Sequence, residues 1–389
     1  MIELKGEYFI DRYCSELGYG FIESLPTQTI NLISSKTNTG KSVFFIGSHA
    51  DDKVIGVTAP FTALSEQIYR DNPSYKVKKG LRAQTEGTIE LDNGRITSFH
   101  SAERLLELKH LDYLIIDELH EMKNYAGFSP TMIGRFWKTV DTLKKMHPKL
   151  IIIALSGTPQ FLRYADFLDM NLYVINLRDT STQAPSKIEI KSSWLRELNS
   201  SDKYLYLYNT RKNGRAWASR FDGGYIESAI KEKSKVYEDI VKGKMSHDRI
   251  FTSTLLATGV SILEPVDYIY TNWVDLVAIV QLCARPRVGR HILRVTKIKK
   301  PVYMRNSVWE MEKPELVWTE SYKDNFILLH KYQEWYSCVA HQDEDILREI
   351  LYTMLFQPAK ELPSLDGLWE KNKVVKLSLE EIKELLENI

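Results

Sequence analysis

The sequence predicts an α/β protein of two tandem parallel-sheet domains followed by a C-terminal helical extension. Three observations carry that expectation. Short apolar runs of strand length alternate with longer helix-compatible stretches, the pattern of parallel strands covered on both faces. A polar stretch, Arg178 to Lys187 (RDTSTQAPSK), divides the alternation in two. Beyond about Pro301 the texture changes to aromatic-rich helix. The expected divisions are therefore 1–180, 187–300 and 301–389.

In the first division the strands are Thr29 to Ile33, Val54 to Thr58, Tyr113 to Ile116 and Leu150 to Leu155. Helical stretches fall between them at Phe61 to Tyr69, Ala102 to Leu108 and Met132 to Met146. One hairpin interrupts the pattern, because Gly87 to Leu91 and Arg95 to Phe99 flank the tight-turn signal Asp92-Asn93-Gly94. The second division offers strands at Lys203 to Asn209, Arg249 to Thr252, Tyr268 to Tyr270 and His291 to Thr296, with helices at Arg211 to Arg220 and Leu276 to Ala284. In the tail, Ile346, Leu347, Ile350, Leu351, Met354 and Leu355 make one apolar helical stripe. Ser378 and Glu381 form a capping box ahead of Ile382, Leu385 and Leu386.

Composition narrows the function classes. The 389 residues carry 52 Lys and Arg against 51 Asp and Glu, a net charge of +1 that excludes a histone-like positive sheath but not a local basic groove. With 43% hydrophobic and 26% charged residues, the chain has ample material for two cores. Its three cysteines, Cys14, Cys283 and Cys338, form no metal-ligand spacing or disulfide framework, which suits a reducing compartment. No apolar run reaches the roughly 18 residues that span a bilayer. The start, MIELKGEYFIDRYC, lacks a signal-peptide core. The expectation is a soluble, cytoplasmic protein without a membrane partner.

Two motifs carry chemistry. Ser35-Lys36-Thr37-Asn38-Thr39-Gly40-Lys41-Ser42 follows a strand and should open a helix, the context of a phosphate-binding loop. Backbone N–H groups there would cradle a β-phosphate, Lys41 would reach the β and γ oxygens, and Ser42 would place its hydroxyl on Mg²⁺. Ser35 stands where the general pattern has its first Gly. The second motif, Tyr113-Leu114-Ile115-Ile116-Asp117-Glu118-Leu119-His120, ends an apolar strand in adjacent acids at the sheet edge where nucleotides bind. Asp117 would hold Mg²⁺ and Glu118 would orient and deprotonate a water. Either motif alone has a plain structural alternative, but the pair in this order does not.

At these residues the chain resembles the superfamily 2 helicases, whose RecA-like domains close over ATP and Mg²⁺. Asp117 to His120, DELH, looks like the DExH signature. The segments from Thr58 and Pro60 to Gln67, and from Ile96 to Ser101, look like the family's backbone-contacting segments. Leu155-Ser156-Gly157-Thr158-Pro159 matches the element that couples ATP to nucleic acid. Leu207 to Arg211 fits the turn opening the second domain, Thr252 to Ser261 the late glycine motif, and Gln281 to Arg290 the arginine-finger helix. The resemblance implies nucleic-acid contacts at Thr58, Pro60, Arg70, Thr97, Ser98, Thr210, Arg211 and Ser253. It implies coupling through His120, Ser156 and Thr158. Nucleotide contacts fall on Gln28, Lys36, Thr37, Asn38, Thr39, Gly40, Lys41, Ser42 and Gly259, and catalysis on Lys41, Asp117, Glu118, Gln281, Arg285, Arg287 and Arg290.

Two departures narrow the resemblance. Ser261 replaces the usual Asp two residues after the late glycine, and Val288 takes the usual second finger position. Arg285 matches the first family arginine, so Arg287 or Arg290 must supply the second. This arrangement is similar to herpesvirus-type origin-binding helicases. The implied activity is an ATP-dependent DNA helicase or translocase in replication or repair of a virus, phage or mobile element. Its implied partners are single-stranded or forked DNA, with RNA possible, and replication proteins docking on the C-terminal helices. An RNA helicase, or a slow ATPase switch that separates no strands, stays open. His49, His100 and His110 have no paired ligand spacing, Lys297 to Lys300 reads as a solvated run, and Trp194, Trp217, Trp273 and Cys283 read as core.

Overall fold

The computed structural model describes residues 2–36, 39–47, 53–60, 68, 88–178, 185–227, 234–257, 261–297, 313–357, 360–366 and 368. Strands without polar alternation form the middle of a first sheet. β2 (Ile30–Ser35), β3 (Ile55–Ala59), β6 (Tyr113–Ile116) and β7 (Ile151–Ser156) are buried along their whole length, as strands covered on both faces must be. With β1 (Glu3–Ile10), β4 (Thr88–Leu91), β5 (Gly94–Ser98) and β8 (Met170–Leu177) they make an eight-stranded sheet in the order β1-β8-β2-β7-β6-β3-β5-β4. Neighbouring strands run parallel except in the β4–β5 hairpin. Gly94 closes that hairpin because a Cβ there would clash with the Ile55 carbonyl oxygen.

Helices cover this sheet: α1 (Tyr19–Glu23), α2 (Lys41–Gly47), α3 (Glu121–Tyr125) and α4 (Pro130–Met146). Pro130 sits in the first turn of α4, where its missing N–H costs nothing. The stretch expected as a helix from Ala102 to Leu108 is a 3₁₀ helix over Phe99–Glu107. Its buried Phe99, Ala102 and Leu105 recur every three residues, the period of that tighter helix.

The second sheet comprises β9 (Lys187–Lys191), β10 (Tyr204–Leu207), β11 (Gly224–Ile226), β12 (Arg249–Thr252), β13 (Tyr268–Thr271) and β14 (Ile292–Thr296). Its order is β11-β12-β10-β13-β14-β9, parallel throughout. Helices α5 (Arg211–Arg220), α6 (Lys235–Val241) and α7 (Leu276–Cys283) accompany it, and every residue of α7 is buried. The two sheets with their helices are tandem parallel-sheet α/β units, as the alternation predicted. Trp194 and Cys283 are core residues.

The tail is not an appendage. α8 (Tyr322–Ala340) sends Phe326 and Leu329 into the first sheet's core, where the Phe326 ring stacks 6.0 Å from Trp137. Farther along the same helix, Tyr332, Trp335, Tyr336, Val339 and Ala340 enter the second sheet's core, together with Phe161 from the first unit. α9 (Glu344–Phe356) adds Leu347, Ile350, Leu351, Met354 and Leu355 to that second core. One helix therefore belongs to both hydrophobic interiors. Among the described residues, no helix is long and apolar enough to cross a membrane. The expected helix from Phe61 and the Ser378 capping box lie outside the described residues, apart from Ile68.

Candidate active site

The loop expected to bind phosphate forms at the carboxyl end of β2. Gly40 takes φ +70°, a left-handed turn that favours glycine, and α2 begins at Lys41. Thr39 anchors the loop: its hydroxyl lies 2.8 Å from Ser35 Oγ and donates to the Lys36 carbonyl at 2.9 Å. Its own carbonyl accepts from Cys14 N at 2.8 Å. The buried Lys41 Nζ donates to the carbonyls of Ser35 at 2.7 Å and Lys36 at 2.6 Å. Burial lowers the Lys41 pKa, Glu118, Cys14 and Asp117 oppose that, and Arg287 reinforces it. Lys36 is only 9% exposed, and its buried Nζ has no hydrogen-bond partner. Burial pushes its ammonium down to about 8, and it lies over the Phe356 ring of α9, 5.4 Å from the centroid.

Facing the loop is the end of β6. Ser42 Oγ donates to Asp117 at 3.2 Å (Oδ2) and 3.4 Å (Oδ1). This pair of hard oxygens, one anionic, fits Mg²⁺. Burial and the neighbouring Glu118 raise the Asp117 carboxyl to about 7, against Lys41 and Ser42. Glu118 sits at φ +51°, a conformation a non-glycine residue holds only where its surroundings impose it. That turn leaves Glu118 Oε2 buried and without a hydrogen-bond donor, 3.4 Å from His120 Nδ1.

The opposite wall comes from α7. Gln281, fully buried, reaches across to the first unit, where its Nε2 donates to Thr158 Oγ1 at 3.1 Å and lies 3.3 Å from His120 Nε2. His120 Nδ1 is 3.1 Å from Ser156 Oγ, which accepts from Thr158 N at 3.2 Å. The network is consistent when Nδ1 carries the His120 proton and Nε2 accepts from Gln281. Gln281 Oε1 in turn accepts from Arg285 at 2.8 Å. The three coupling residues read from the sequence thus meet one finger-helix residue in a single chain of bonds.

The arginines divide into three settings. Arg285 is buried and holds the Ala257 carbonyl of its own unit. Arg287 Nε donates to Ser261 Oγ at 3.1 Å, so Ser261 positions it. Burial lowers the Arg287 pKa to about 10, Arg285 adds to that, and Glu118 opposes it, so the guanidinium lies within the field of the Glu118 carboxylate. Arg290 is exposed.

The expected nucleic-acid contacts fall along the carboxyl ends of β3, β5, β10 and β12, with different exposures. Thr58 and Thr97 are wholly buried, their hydroxyls turned to the carbonyls of Ile115 (3.5 Å) and Val57 (3.4 Å), so neither presents a side chain at the surface. Pro60 is buried too, its carbonyl accepting from the Tyr125 hydroxyl. Ser98, at the end of β5, bonds Ser101 Oγ at 3.5 Å. Thr210 caps α5 through Asn213 N at 3.2 Å. Arg211 is exposed, 3.7 Å from Glu227, and Ser253 N donates to Ile226 O at 3.2 Å. Gln28 requires correction. It precedes β2, at the amino end of the strand, with Nε2 bonded to the His147 carbonyl at 2.8 Å; the phosphate loop lies at the other end. Thr37, Asn38, Arg70 and Gly259 lie outside the described residues.

Other residues at the site were not evident from the sequence. Tyr13 lies against the phosphate loop, its ring 3.5 Å from where a Cβ on Gly40 would sit, and it is 43% exposed. The Arg12 guanidinium lies 4.9 Å over that ring. Glu16 fixes the segment by accepting from the amides of Asp11, Arg12 and Tyr13 at 2.7, 2.7 and 2.8 Å. An aromatic ahead of a phosphate loop was the available signal, but no sequence spacing tied it to Gly40. Lys123, Asp275 and Gln333, which meet beside His120, carried no signal at all.

No protein-family model matches the chain, and no curated protein sequence does. Among solved structures, the chain is similar to the DUF1998 helicase MrfA bound to DNA, at 14% identity and a TM-score of 0.49, over 71% of this chain and 45% of that one. It is similar to Dbp5 of S. cerevisiae bound to RNA and ADP BeF3, at 14% identity and a TM-score of 0.49, over 85% and 90% of the two chains. A DEAD box protein from Methanococcus jannaschii gives 15% identity and a TM-score of 0.37 over 71% and 83%. The chain thus spans less than half the length of the MrfA chain. At these identities and TM-scores the likeness adds no argument about chemistry or substrate.

Proposed function

We propose that this chain is an ATP-dependent nucleic-acid motor of the superfamily 2 helicase type, a helicase or translocase that hydrolyses ATP between its two α/β units. The observation that carries the reading is the bond network across the cleft, in which Gln281 of the second unit joins His120 and Thr158 of the first. On the first wall, loop N–H groups, Lys41 and the buried, unpartnered Lys36 would bind phosphates, Ser42 and Asp117 would hold Mg²⁺, and Tyr13 offers a ring to the nucleobase. The bound ion would draw charge from the β and γ oxygens. Glu118, held in a strained turn with one oxygen free, takes the proton of the attacking water. Arg287, positioned by Ser261, stabilises charge developing on the transferred phosphoryl, while Arg285 sets Gln281.

The polymer would run along the carboxyl ends of the strands, past Ser98, Thr210, Arg211 and Ser253, held mainly through its phosphates. The Gly259-Val260-Ser261 and arginine spacings, similar to origin-binding helicases, support a DNA substrate and a replication or repair role for a virus, phage or mobile element. A second reading has its own support. Because α8 is packed into both cores, separating the two units exposes apolar surface, which favours a nucleic-acid-gated ATPase switch with little strand separation.

Steady-state ATPase assays with no polymer, single-stranded DNA, duplex DNA and single-stranded RNA test the reading, with Glu118→Gln as control. Strong stimulation by DNA, absent in the control, is the expected result. Stimulation by RNA alone moves the motor to RNA, and no turnover with any polymer refutes it.

A further inference from the structure

Beside the cross-cleft bonds lies a second polar cluster that no motif covers. Lys123, three residues beyond His120 on α3, is wholly buried. Its Nζ donates to the His120 carbonyl at 3.2 Å. A buried ammonium is costly unless opposite charge faces it, and the carboxylates acting on this one are Asp275 and Glu121. Asp275 caps α7, the helix that carries Gln281 and runs into the turn bearing Arg285, by accepting from Val277 N at 2.9 Å. The same oxygen accepts from Gln333 Nε2 of α8 at 2.9 Å. One residue before Asp275, the Val274 carbonyl lies 3.1 Å from Nε2 of His341, at the end of α8. Glu121 closes the cluster, 3.4 Å from His120 Nε2 and accepting from Asn124 at 2.8 Å. Lys123 is thus bonded to α3 through the His120 carbonyl and acts on the Asp275 end of α7 through charge alone, while α8 reaches Asp275 through Gln333.

We propose that Lys123 is a positioning residue for ATP turnover, holding the His120 backbone and the capped end of α7 together so that His120 and Gln281 keep their register, with α8 as the third member of the junction through Gln333. The proposal rests on the motor reading above. It makes the C-terminal helices part of the coupling apparatus, because a shift of α8 displaces Asp275 and with it the helix bearing Gln281. Lys123 touches no reacting atom. Its effect passes through His120 and α7, so its loss should lower kcat while leaving ATP affinity nearly intact.

The test measures polymer-saturated kcat, KM for ATP and thermal midpoint in the full chain and in Lys123→Met, Asp275→Asn, Gln333→Met and the Lys123→Met/Asp275→Asn pair. Lys123→Met is expected to cut kcat about tenfold, with KM within about twofold, because residues in one network couple by energies of that order. Asp275→Asn relieves the uncompensated acid, so the pair should recover most of the kcat lost by Lys123→Met alone. Parent-like kcat in Lys123→Met overturns the proposal, as does a pair whose losses simply multiply while the midpoint falls. If Lys123→Met does not fold, Asp275→Asn, Gln333→Met and a double variant carrying both decide: a loss in the double no larger than the greater single loss supports the junction, and multiplied losses overturn it. A parent chain without turnover refutes the motor reading itself, whereas an active parent with indifferent variants refutes only the junction.

Discussion

The candidate cleft forms at the carboxyl ends of β2, β6 and β7 and the candidate polymer edge at those of β3, β5, β10 and β12, and their motif side chains are used differently. In the cleft, motif side chains bond to one another across the fold: Ser42 to Asp117, His120 to Ser156, and Gln281 to Thr158. Along the edge, Thr58 and Thr97 turn inward to strand carbonyls, and Thr210 caps its own helix. Phosphoryl transfer needs particular side-chain atoms at particular points. A phosphate backbone can be held by main-chain N–H groups and scattered hydroxyls, so residue identity there is less constrained.

That contrast is most sharply broken at the arginines. Arg287→Ala should lower turnover about 10²- to 10³-fold, the usual cost of one preorganised charge-stabilising donor, with ATP binding retained. Arg290→Ala should stay within about threefold by the same reasoning, since an exposed side chain loses no preorganised contact. Steady-state kinetics of the two variants decide which arginine serves the cleft.

Next in size is an effect on the frame behind the cleft. Burial holds the imidazoles of His291 and His341 down at about 4, against 6.5 ordinarily. Above pH 6.5 both are neutral folded or unfolded, and stability is unaffected. As pH falls from 6.5 towards 4 the unfolded chain takes up protons that the folded chain refuses, so stability is lost through that window. Each site contributes up to about 3 kcal/mol by pH 4. Thermal midpoints measured from pH 7.5 to 4.5 should fall steeply below 6.5, and His341→Gln should flatten the fall. A midpoint indifferent to acid contradicts the neutral buried pair.

Smaller effects separate the two regions directly. Lys36→Gln should weaken ATP binding about tenfold, the worth of a charge-assisted hydrogen bond to phosphate, and leave polymer affinity unchanged. Nucleotide titration checks the first and polymer titration the second. At the edge, Ser98→Ala should weaken polymer binding only a few-fold. Arg211→Ala should do the same across all sequences and reduce the salt slope by about one. Thr97→Val, which removes an inward-facing hydroxyl, should leave polymer affinity within about twofold, because no surface contact is lost.

The sequence made the cleft legible because its chemistry demands residue types at fixed spacing. Lys41, Ser42, Asp117, Glu118 and Gln281 stand on the elements their motifs implied. The edge was less legible for a reason of parity. β3 and β5 are buried at every position, so no alternation tells which side chains reach the surface, and Thr58 and Thr97 could not be distinguished from outward-facing residues. Gln28 misled because a residue close to the phosphate loop in sequence lies a whole strand away in space. β1 and β9 escaped notice as charged, half-exposed edge strands, ELKGEYFI and KIEIK. α8 gave no single apolar stripe because it buries different faces in two different cores. Lys123 had no signal, since a lysine becomes informative only when the fold shows it buried.

The central claim is that the cleft and the polymer edge are coupled through the His120–Gln281 bonds. The most direct measurement is the equilibrium affinity of Glu118→Gln for a single-stranded oligonucleotide, with and without Mg²⁺ and ATP, in a variant that binds nucleotide but does not turn it over. Coupled sites predict a change in Kd of at least about fivefold, and the reciprocal change in ATP affinity when polymer is added. Identical affinities in both conditions, with ATP demonstrably bound, would contradict the coupling.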